Sequence, residues 1–384
     1  MNRLSSLYLH IPFCEHKCIY CDFYSIAPNE RPDSYNALIA RFLDGLRKEI
    51  EIRSQDSQFR EQFETVFFGG GTPSLLSPSI VGEILDLLSG KFSLKAGAEI
   101  TLETNPGTVD LTKLRGYRQA GVNRISMGIQ SFHDDDLRFL TRIHSAAQAK
   151  ECVRNAFAAG FDNVSFDLIF SLPGQTRERW LSNLNQAMEL NPTHISCYSL
   201  IVEPNTPLHR MVEAKQVTPL PVDEDAAQYE LTMEFLEAHG YAQYEVSNFA
   251  KPGFKSIHNS NYWNHRNYLG FGPSAHSFWH GKRWWNVSNV VNYLDRVEAN
   301  AVPVAGEEAL TREQLMQEAI FLGLRSEGVD VAGFRRKFEK DLLTDYRPTI
   351  DALVENGLAR MEDDRLRLTS KGYSLCDEIC YSFR

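Results

Sequence analysis

Residues 14–21 are CEHKCIYC, which places Cys14, Cys18 and Cys21 within eight residues. No fourth cysteine stands nearby to complete a closed four-thiolate site. A structural zinc ion normally takes four protein ligands, and a disulfide framework needs an even number of cysteines in a secreted chain. Three thiolates with one open position suit a four-iron four-sulfur cluster whose fourth iron binds a small molecule. The motif alone leaves both the cluster and the other interpretations open.

The composition is that of an ordinary globular protein. The chain has 384 residues, 43% of them hydrophobic, which is long enough for one large domain and a smaller one. A formal net charge of −10 disfavours nucleic acid and anionic membrane surfaces as partners. Seven cysteines are an odd number, and we find no signal peptide and no apolar run of transmembrane length. We therefore expect a reducing compartment, the cytoplasm.

Six apolar runs alternate with helical patterns in the first 200 residues, and each predicts a buried strand. They are LYLHI (7–11), TVFFG (65–69), EITLE (99–103), RISMGI (124–129), NVSFDLIF (163–170) and HISCYSL (194–200). Repeated strand–helix units predict an α/β fold with a parallel sheet and helices outside it. This pattern does not separate an open doubly wound sheet from a barrel.

Polar and glycine-rich residues follow the carboxyl ends of these strands, where ligands bind in both architectures. The set comprises Cys14, Gly69–Thr72, Glu103–Pro106, Gln130 and Asp167. The glycine run lies in FFGGGTPS (67–74), and its bare backbone can approach a ligand closely. A tight strand-to-helix turn is the plainer interpretation, and no Lys follows to make it a phosphate loop. Five strand ends together predict one site.

The pattern changes after residue 200. An aromatic and histidine-rich region, 241–285, predicts an extension that wraps around the first unit. From about residue 306, helical patterns and a short strand pair turning at Asp363–Asp364 follow one another in an order that resembles a winged helix. We therefore predict three domains, at 1–240, 241–304 and 305–384.

Residues 5 to about 250 resemble the radical S-adenosylmethionine (SAM) enzymes. In that family, a three-cysteine loop with an aromatic residue before its last cysteine, Tyr20 here, binds the cluster. The amino and carboxylate groups of SAM's methionine chelate the open iron, so a fourth thiolate would occupy the position of SAM. The resemblance implies a partial (β/α)6 TIM-like barrel, with a winged-helix-like α+β domain after it. It also implies a 4Fe-4S cluster on Cys14, Cys18 and Cys21.

The resemblance extends to the oxygen-independent coproporphyrinogen III oxidase branch and its HemW relatives. The motifs that carry it are YLHIPFC, FFGGGTPS, ETNP, SMGIQSF and DLIFSLPGQT. It implies that Tyr8 packs beside the cluster and that a glycine turn meets the methionine amine of SAM. The residues implied for SAM are Gly70, Gly71, Thr72, Glu103, Gln130, Arg142 and Asp167, with Asp167 at the ribose hydroxyls. Glu103 and Arg142 could instead form an ordinary ion pair, and Asp167 or Gln130 could cap a helix.

One position near the cluster motif discriminates between the two branches. The oxidases resemble C-x3-C-x2-C-x-C, whereas Phe23 stands here at the fourth cysteine position, among the residues expected at the cofactor site. The oxidases also carry a longer segment before the residue equivalent to Tyr8. Both departures favour the HemW family, which is regarded as binding heme and delivering it to acceptor proteins. The implied partners are heme, a heme-acceptor protein and an electron donor such as a flavodoxin or ferredoxin; the oxidase is the alternative.

The stretch HNSNYW (258–263) matches the HNxxYW sequence associated with heme in that family. His258 and Tyr262 are therefore the heme-ligand candidates, since both residue types ligate heme iron. A histidine among aromatic residues is more often structural. His265, His276 and His280 are competitors that sequence cannot rank. Cys376 and Cys380 are four residues apart and share a helix face, where core packing is the plainer expectation.

A DNA-binding regulator with a cluster sensor is the alternative from another class. Residues 305–384 hold 12 basic and 16 acidic side chains, a net charge of −4. A module that reads DNA presents a basic face. We therefore expect an interaction or lid domain here and no nucleic-acid partner.

Overall fold

The computed structural model describes residues 4–31 and 34–383. Its first half alternates strands with helices, as the six apolar runs predict. The strands are β1 (Leu4–Ile11), β2 (Gln62–Gly70), β3 (Ser93–Thr104), β4 (Arg124–Gln130), β5 (Asn163–Phe170) and β6 (His194–Ser199). The helices are α1 (Tyr35–Ser54), α2 (Pro78–Lys91), α3 (Leu111–Gln119), α4 (Asp134–Phe139), α5 (Ala146–Ala158) and α6 (Arg177–Leu190).

Neighbouring strands in this half are parallel and pair in sequence order from β1 to β6. The strands are buried on both faces, because helices cover the outer face and the inner face lies inside the barrel. The helices begin where capping residues stand: Ser77, Asp110 and Ser145 each accept a hydrogen bond from a first-turn backbone N–H. The predicted partial (β/α)6 barrel is confirmed.

The rest of the chain extends this sheet at both edges. The next elements are α7 (Pro207–Glu213), α8 (Val222–Ala238), β7 (Ala242–Gln243), β8 (Asn248–Ala250), α9 (Ile257–Trp263), β9 (Tyr268–Phe271), β10 (His276–Trp279), β11 (Lys282–Asn286), α10 (Val290–Glu298) and β12 (Val304–Ala309). Strand β9 runs parallel to β1, and β8 pairs with β6 at the other edge. The resulting sheet has 12 strands in the order β12-β11-β10-β9-β1-β2-β3-β4-β5-β6-β8-β7.

The carboxyl-terminal part forms a three-stranded sheet with helices around it. Its elements are α11 (Arg312–Leu324), β13 (Val329–Asp330), α12 (Val331–Phe338), α13 (Leu342–Asp345), α14 (Arg347–Glu355), β14 (Ala359–Glu362), β15 (Arg365–Leu368), α15 (Ser370–Tyr373) and α16 (Cys376–Tyr381). A separate hydrophobic core serves this part, and Cys376 and Cys380 belong to it. The winged-helix-like order is thus present. The three domain boundaries stay a prediction.

Within the described ranges, no helix is both long and apolar enough to cross a membrane.

Candidate cluster and cofactor site

The three-cysteine loop follows β1 directly and is fixed by backbone hydrogen bonds. Cys14 donates its N–H to the carbonyl of Ile26 at 3.0 Å, which closes the loop on itself. Ile19, inside the loop, donates to Thr141 Oγ1 at 3.2 Å and accepts from the Leu208 N–H at 2.9 Å. The loop is therefore held to the segment after α4 and to α7.

Hydroxyl and guanidinium donors approach two of the thiols. Thr72 Oγ1 donates to Cys14 Sγ at 3.4 Å, and Arg142 Nη1 donates to Cys18 Sγ at 3.4 Å. Burial raises the pKa of the Cys14 thiol and raises that of Cys21 to about 11. These two thiols hold their protons until a metal replaces them. Donors to sulfur are the groups that tune the reduction potential of an iron–sulfur cluster.

The chemistry of this donor set fits a cluster better than a single ion. Among the residues that the structure describes, no three His, Cys, Asp or Glu side chains converge on one metal position. In a 4Fe-4S cluster each cysteine binds a different iron, so the thiols need not converge. Cys14 and Cys18 are buried at 8% exposure each, whereas Cys21 is partly exposed and reaches the adjoining cavity.

A cavity of about 450 Å³ opens beside the loop at the carboxyl ends of the barrel strands. Ligand sites of this size commonly hold small molecules. The structure brings nine of the predicted residues to its wall: Cys21, Phe23, Gly70, Gly71, Thr72, Glu103, Gln130, Arg142 and Asp167. Phe23 is 67% exposed at this position. Parallel strands explain the convergence because their carboxyl ends share one side of the sheet.

Tyr8, which was also predicted at the cofactor site, packs behind the glycine run and is not on the cavity wall. Its hydroxyl lies 3.1 Å from His10 Nδ1, while His10 Nε2 lies 2.8 Å from the Tyr24 carbonyl. Burial lowers the pKa of His10 to about 4, so the imidazole is neutral. Its Nε2–H then donates to Tyr24, and Nδ1 accepts from the Tyr8 hydroxyl. His10 thus fixes the orientation of Tyr8.

This turn requires glycine because its backbone lies very close to the backbone that leads into the cysteine loop. Gly71 donates to the Ile11 carbonyl at 2.8 Å, and Thr72 donates to the Phe13 carbonyl at 2.7 Å. A Cβ on Gly71 would lie 2.7 Å from the Phe13 carbonyl oxygen. This clash is with backbone, which cannot move aside as easily as a flexible side chain. Gly70 has φ +106°, a conformation that favours glycine.

Two half-buried carboxyl groups face the cavity. Burial, followed by the negative charge of Asp167, raises the pKa of Glu103 to about 8. Burial also raises the pKa of Asp167, which accepts a hydrogen bond from Ser126 Oγ at 3.3 Å. Neither carboxyl pairs with Arg142, which instead donates to Cys18 and, at 2.8 Å, to the Gly128 carbonyl. Two neighbouring carboxyl groups that form no ion pair with Arg142 suit a positively charged ligand.

The sequence analysis did not predict the part of the cavity wall formed by the end of β6 and the residues after it. Tyr198, Ile201 and Glu203 line the same cavity. The rule used for the other strands, that ligands bind at carboxyl ends, applies equally to β6 and could have found Tyr198. Arg124 was missed as well, although it is buried at 2% exposure inside the barrel and its charge acts on both Glu103 and Asp167.

Comparison with known proteins assigns the family. Residues 8–187 match the Radical SAM superfamily model, and residues 310–375 match the HemN C-terminal domain. The heme chaperone HemW of Bacillus subtilis (strain 168) is 35% identical over 99% of each chain. That of Escherichia coli (strain K12) is 44% identical over 71% of this chain and 69% of the relative. This chain belongs to the HemW family.

A solved structure agrees with the HemW assignment at the level of the fold. Coproporphyrinogen III oxidase (HemN) from Escherichia coli, described as a radical SAM enzyme, superposes with a TM-score of 0.84 at 25% sequence identity. The match covers 100% of this chain and 90% of that one. The predicted relationship to both branches is confirmed, with HemW as the branch to which the chain belongs.

The predicted heme ligands of this HemW family member lie near the amino ends of the strands, away from the cavity. His258 is 1% exposed; its Nδ1 lies 2.7 Å from Thr65 Oγ1 and its Nε2 lies 2.8 Å from the Tyr262 hydroxyl. Burial lowers the pKa of His258 to about 3. Iron coordination by His258 or Tyr262 would break a hydrogen bond in this arrangement. Their assignment as heme ligands stays a prediction.

Proposed function

We propose that this protein is a radical SAM protein that binds heme and transfers it to an acceptor protein. The observation that supports this best is that Cys21, the glycine turn and two half-buried carboxyl groups face one cavity beside the three-cysteine loop. Cys14, Cys18 and Cys21 hold a 4Fe-4S cluster, and SAM occupies the cavity. The name of the similar relatives, heme chaperone HemW, supports heme as the cargo.

Each part of the cavity has a role in holding SAM. Glu103 and Asp167 offer carboxylates to cationic and hydroxyl groups, and Gln130 offers an amide. Arg142 steadies Cys18 and stands where the methionine carboxylate needs a guanidinium. When bound, a cluster of this kind supplies an electron to SAM. Because Phe23 stands where the oxidases have a further cysteine, the cluster motif of this protein has three cysteines.

The partners follow from this function. An electron donor such as a flavodoxin or ferredoxin would reduce the cluster, and an acceptor protein would receive heme. The seven cysteines are free thiols, which agrees with the cytoplasm as the location. The acidic carboxyl-terminal unit matches the HemN C-terminal domain rather than supporting a DNA-binding role.

A radical coproporphyrinogen III oxidase is the second candidate, favoured by the fold match to HemN over the whole chain. An anaerobic assay with reconstituted protein, SAM, reductant and coproporphyrinogen III separates the two. We expect no decarboxylated product in catalytic amounts, measured by mass spectrometry. Catalytic product would make this protein an oxidase and remove the chaperone proposal.

The cluster assignment is tested separately. Cys14→Ser should lose the iron and sulfide of the reconstituted protein because one of three ligands is gone. Cys152→Ser is the matched control, since Cys152 is buried in the helix α5 face of the core and far in sequence from the loop. Equal iron content in the two variants would contradict the assignment.

A further inference from the structure

A second large cleft, of about 620 Å³, lies at the amino ends of the strands, opposite the cluster cavity. Three parts of the chain form it. Leu4 comes from the start of β1, Phe278 and the segment around His265 from the sheet extension, and Leu315 and Lys337 from the carboxyl-terminal unit. Its walls combine apolar side chains with two histidines, His265 and His280.

Both histidines of the cleft are backed by carboxylates. His265 Nε2 lies 3.1 Å from Glu318 Oε2, and His280 Nε2 lies 3.1 Å from Glu61 Oε1. A carboxylate on one ring nitrogen is the usual support of a metal-binding imidazole, because it fixes the tautomer and raises the basicity of the other nitrogen. The His265 side chain is only 9% exposed, and although Glu318 lies at ion-pair distance from Nε2, neither ring nitrogen makes a hydrogen bond within the described residues.

Stacked aromatic rings connect this cleft to the HNSNYW motif. Tyr262, which is hydrogen-bonded to His258, packs edge-on against Tyr268 at 4.6 Å between ring centroids. Tyr268 lies 6.4 Å from Phe278, and the His265 ring stacks on Phe278 at 4.4 Å and 22°. The motif is therefore linked to the Phe278 wall of the cleft through the rings of Tyr262 and Tyr268 without lining the cleft itself.

The composition of the cleft favours an iron porphyrin over a bare metal ion. In the described part of the chain, no three metal-binding side chains surround one position, so a bare ion would lack ligands. A porphyrin brings four nitrogens of its own and needs only one or two from the protein. Phe278 and Leu315 offer apolar contact, and the wall also carries two cationic side chains, Lys337 and Arg266, of which Arg266 pairs with Glu64 at 2.7 Å.

We propose that heme binds in this cleft, with His265 as the iron ligand and His280 in the wall of the same site. The proposal rests on the proposed heme-binding function and names its site. His265 already lines the cleft, and Nδ1 is the nitrogen left for iron while Nε2 faces Glu318. His258 is then a positioning residue, which acts through Tyr262 and Tyr268.

The test is a titration of the full-length protein with hemin, followed by absorbance and electron paramagnetic resonance. His265→Asn should weaken binding by about tenfold or more and remove the nitrogen-ligand signature. Asparagine suits the left-handed backbone at this position, where φ is 53°. Glu318→Gln keeps the imidazole and should also weaken binding, by about tenfold, with a shifted spectrum.

His276→Asn is the control, because His276 is an exposed histidine that stacks on Trp285 and is not part of the cleft wall. It should bind hemin as the unmodified protein does. Unchanged affinity and spectrum in both His265→Asn and Glu318→Gln would overturn the proposal, and so would loss of the nitrogen signature in His258→Asn alone. If the unmodified protein failed to bind hemin, the chaperone function itself would fall.

Discussion

Glu103 is the residue whose ionisation is most sensitive to what occupies the cavity. Its pKa of about 8 has burial as the first cause and the neighbouring Asp167 as the second, while the charge of Arg124 and a hydrogen bond from the Gly70 N–H act in the opposite direction. At neutral pH the carboxyl is therefore mostly protonated. SAM carries a sulfonium and an ammonium group, and both favour the ionised carboxylate.

SAM binding should accordingly release a proton below pH 8. We expect affinity to rise with pH by up to about tenfold per unit until pH reaches about 8, and to level off above it, because the carboxylate is then already formed. Calorimetry of SAM binding in two buffers with different ionisation enthalpies measures the released proton. Glu103→Gln should bind SAM more weakly and lose most of the release. Identical proton release in this variant would show that another group titrates.

The parts of the site differ in how well the sequence alone predicts their positions. Cys14, Gly71, Glu103 and Asp167 were predictable, because each lies after a recognisable parallel strand or in its carboxyl-terminal half, and such strands end on one side of the sheet. Tyr8 packs behind the wall because its neighbour His10 holds it, a contact that no local pattern encodes. The cleft was not predictable either, since β1, the extension and the carboxyl-terminal unit meet there only after folding.

The turn between β2 and α2 is the element on which the site is most dependent. Gly71→Ala should prevent cluster assembly, because the added Cβ would press on the carbonyls of Phe13 and Ile11 and displace the cysteine loop. Iron and sulfide content after reconstitution measures the effect. Gly90→Ala is the matched control, as a Cβ there meets nothing within 4 Å, and helix propensity should stabilise the protein by about 0.5–1 kcal/mol. A full cluster in Gly71→Ala would show that the loop can move.

The described residues form two main hydrophobic cores of unequal size, one in the barrel and its extension and one in the carboxyl-terminal unit, besides a small cluster of Leu140, Ile169 and Leu172. Contacts between the two parts include the Val246 N–H donating to the Arg325 carbonyl at 3.0 Å and the His265–Glu318 pair of the cleft. The cluster cavity draws its wall from the first part only, whereas the cleft needs both. Loss of the second core should therefore affect the two sites differently.

Leu366→Ala tests this separation. Leu366 is fully buried in β15, the central strand of the small sheet, and its truncation should cost about 2–5 kcal/mol. We expect faster hydrogen exchange across residues 312–383, weaker hemin binding, and full iron content, because the barrel keeps its own core. Leu168→Ala, a fully buried residue of β5, should instead raise exchange in the barrel and reduce iron content. Equal exchange throughout the chain in both variants would mean that the two cores unfold as one cooperative unit, and the cleft and the cavity would then be lost together.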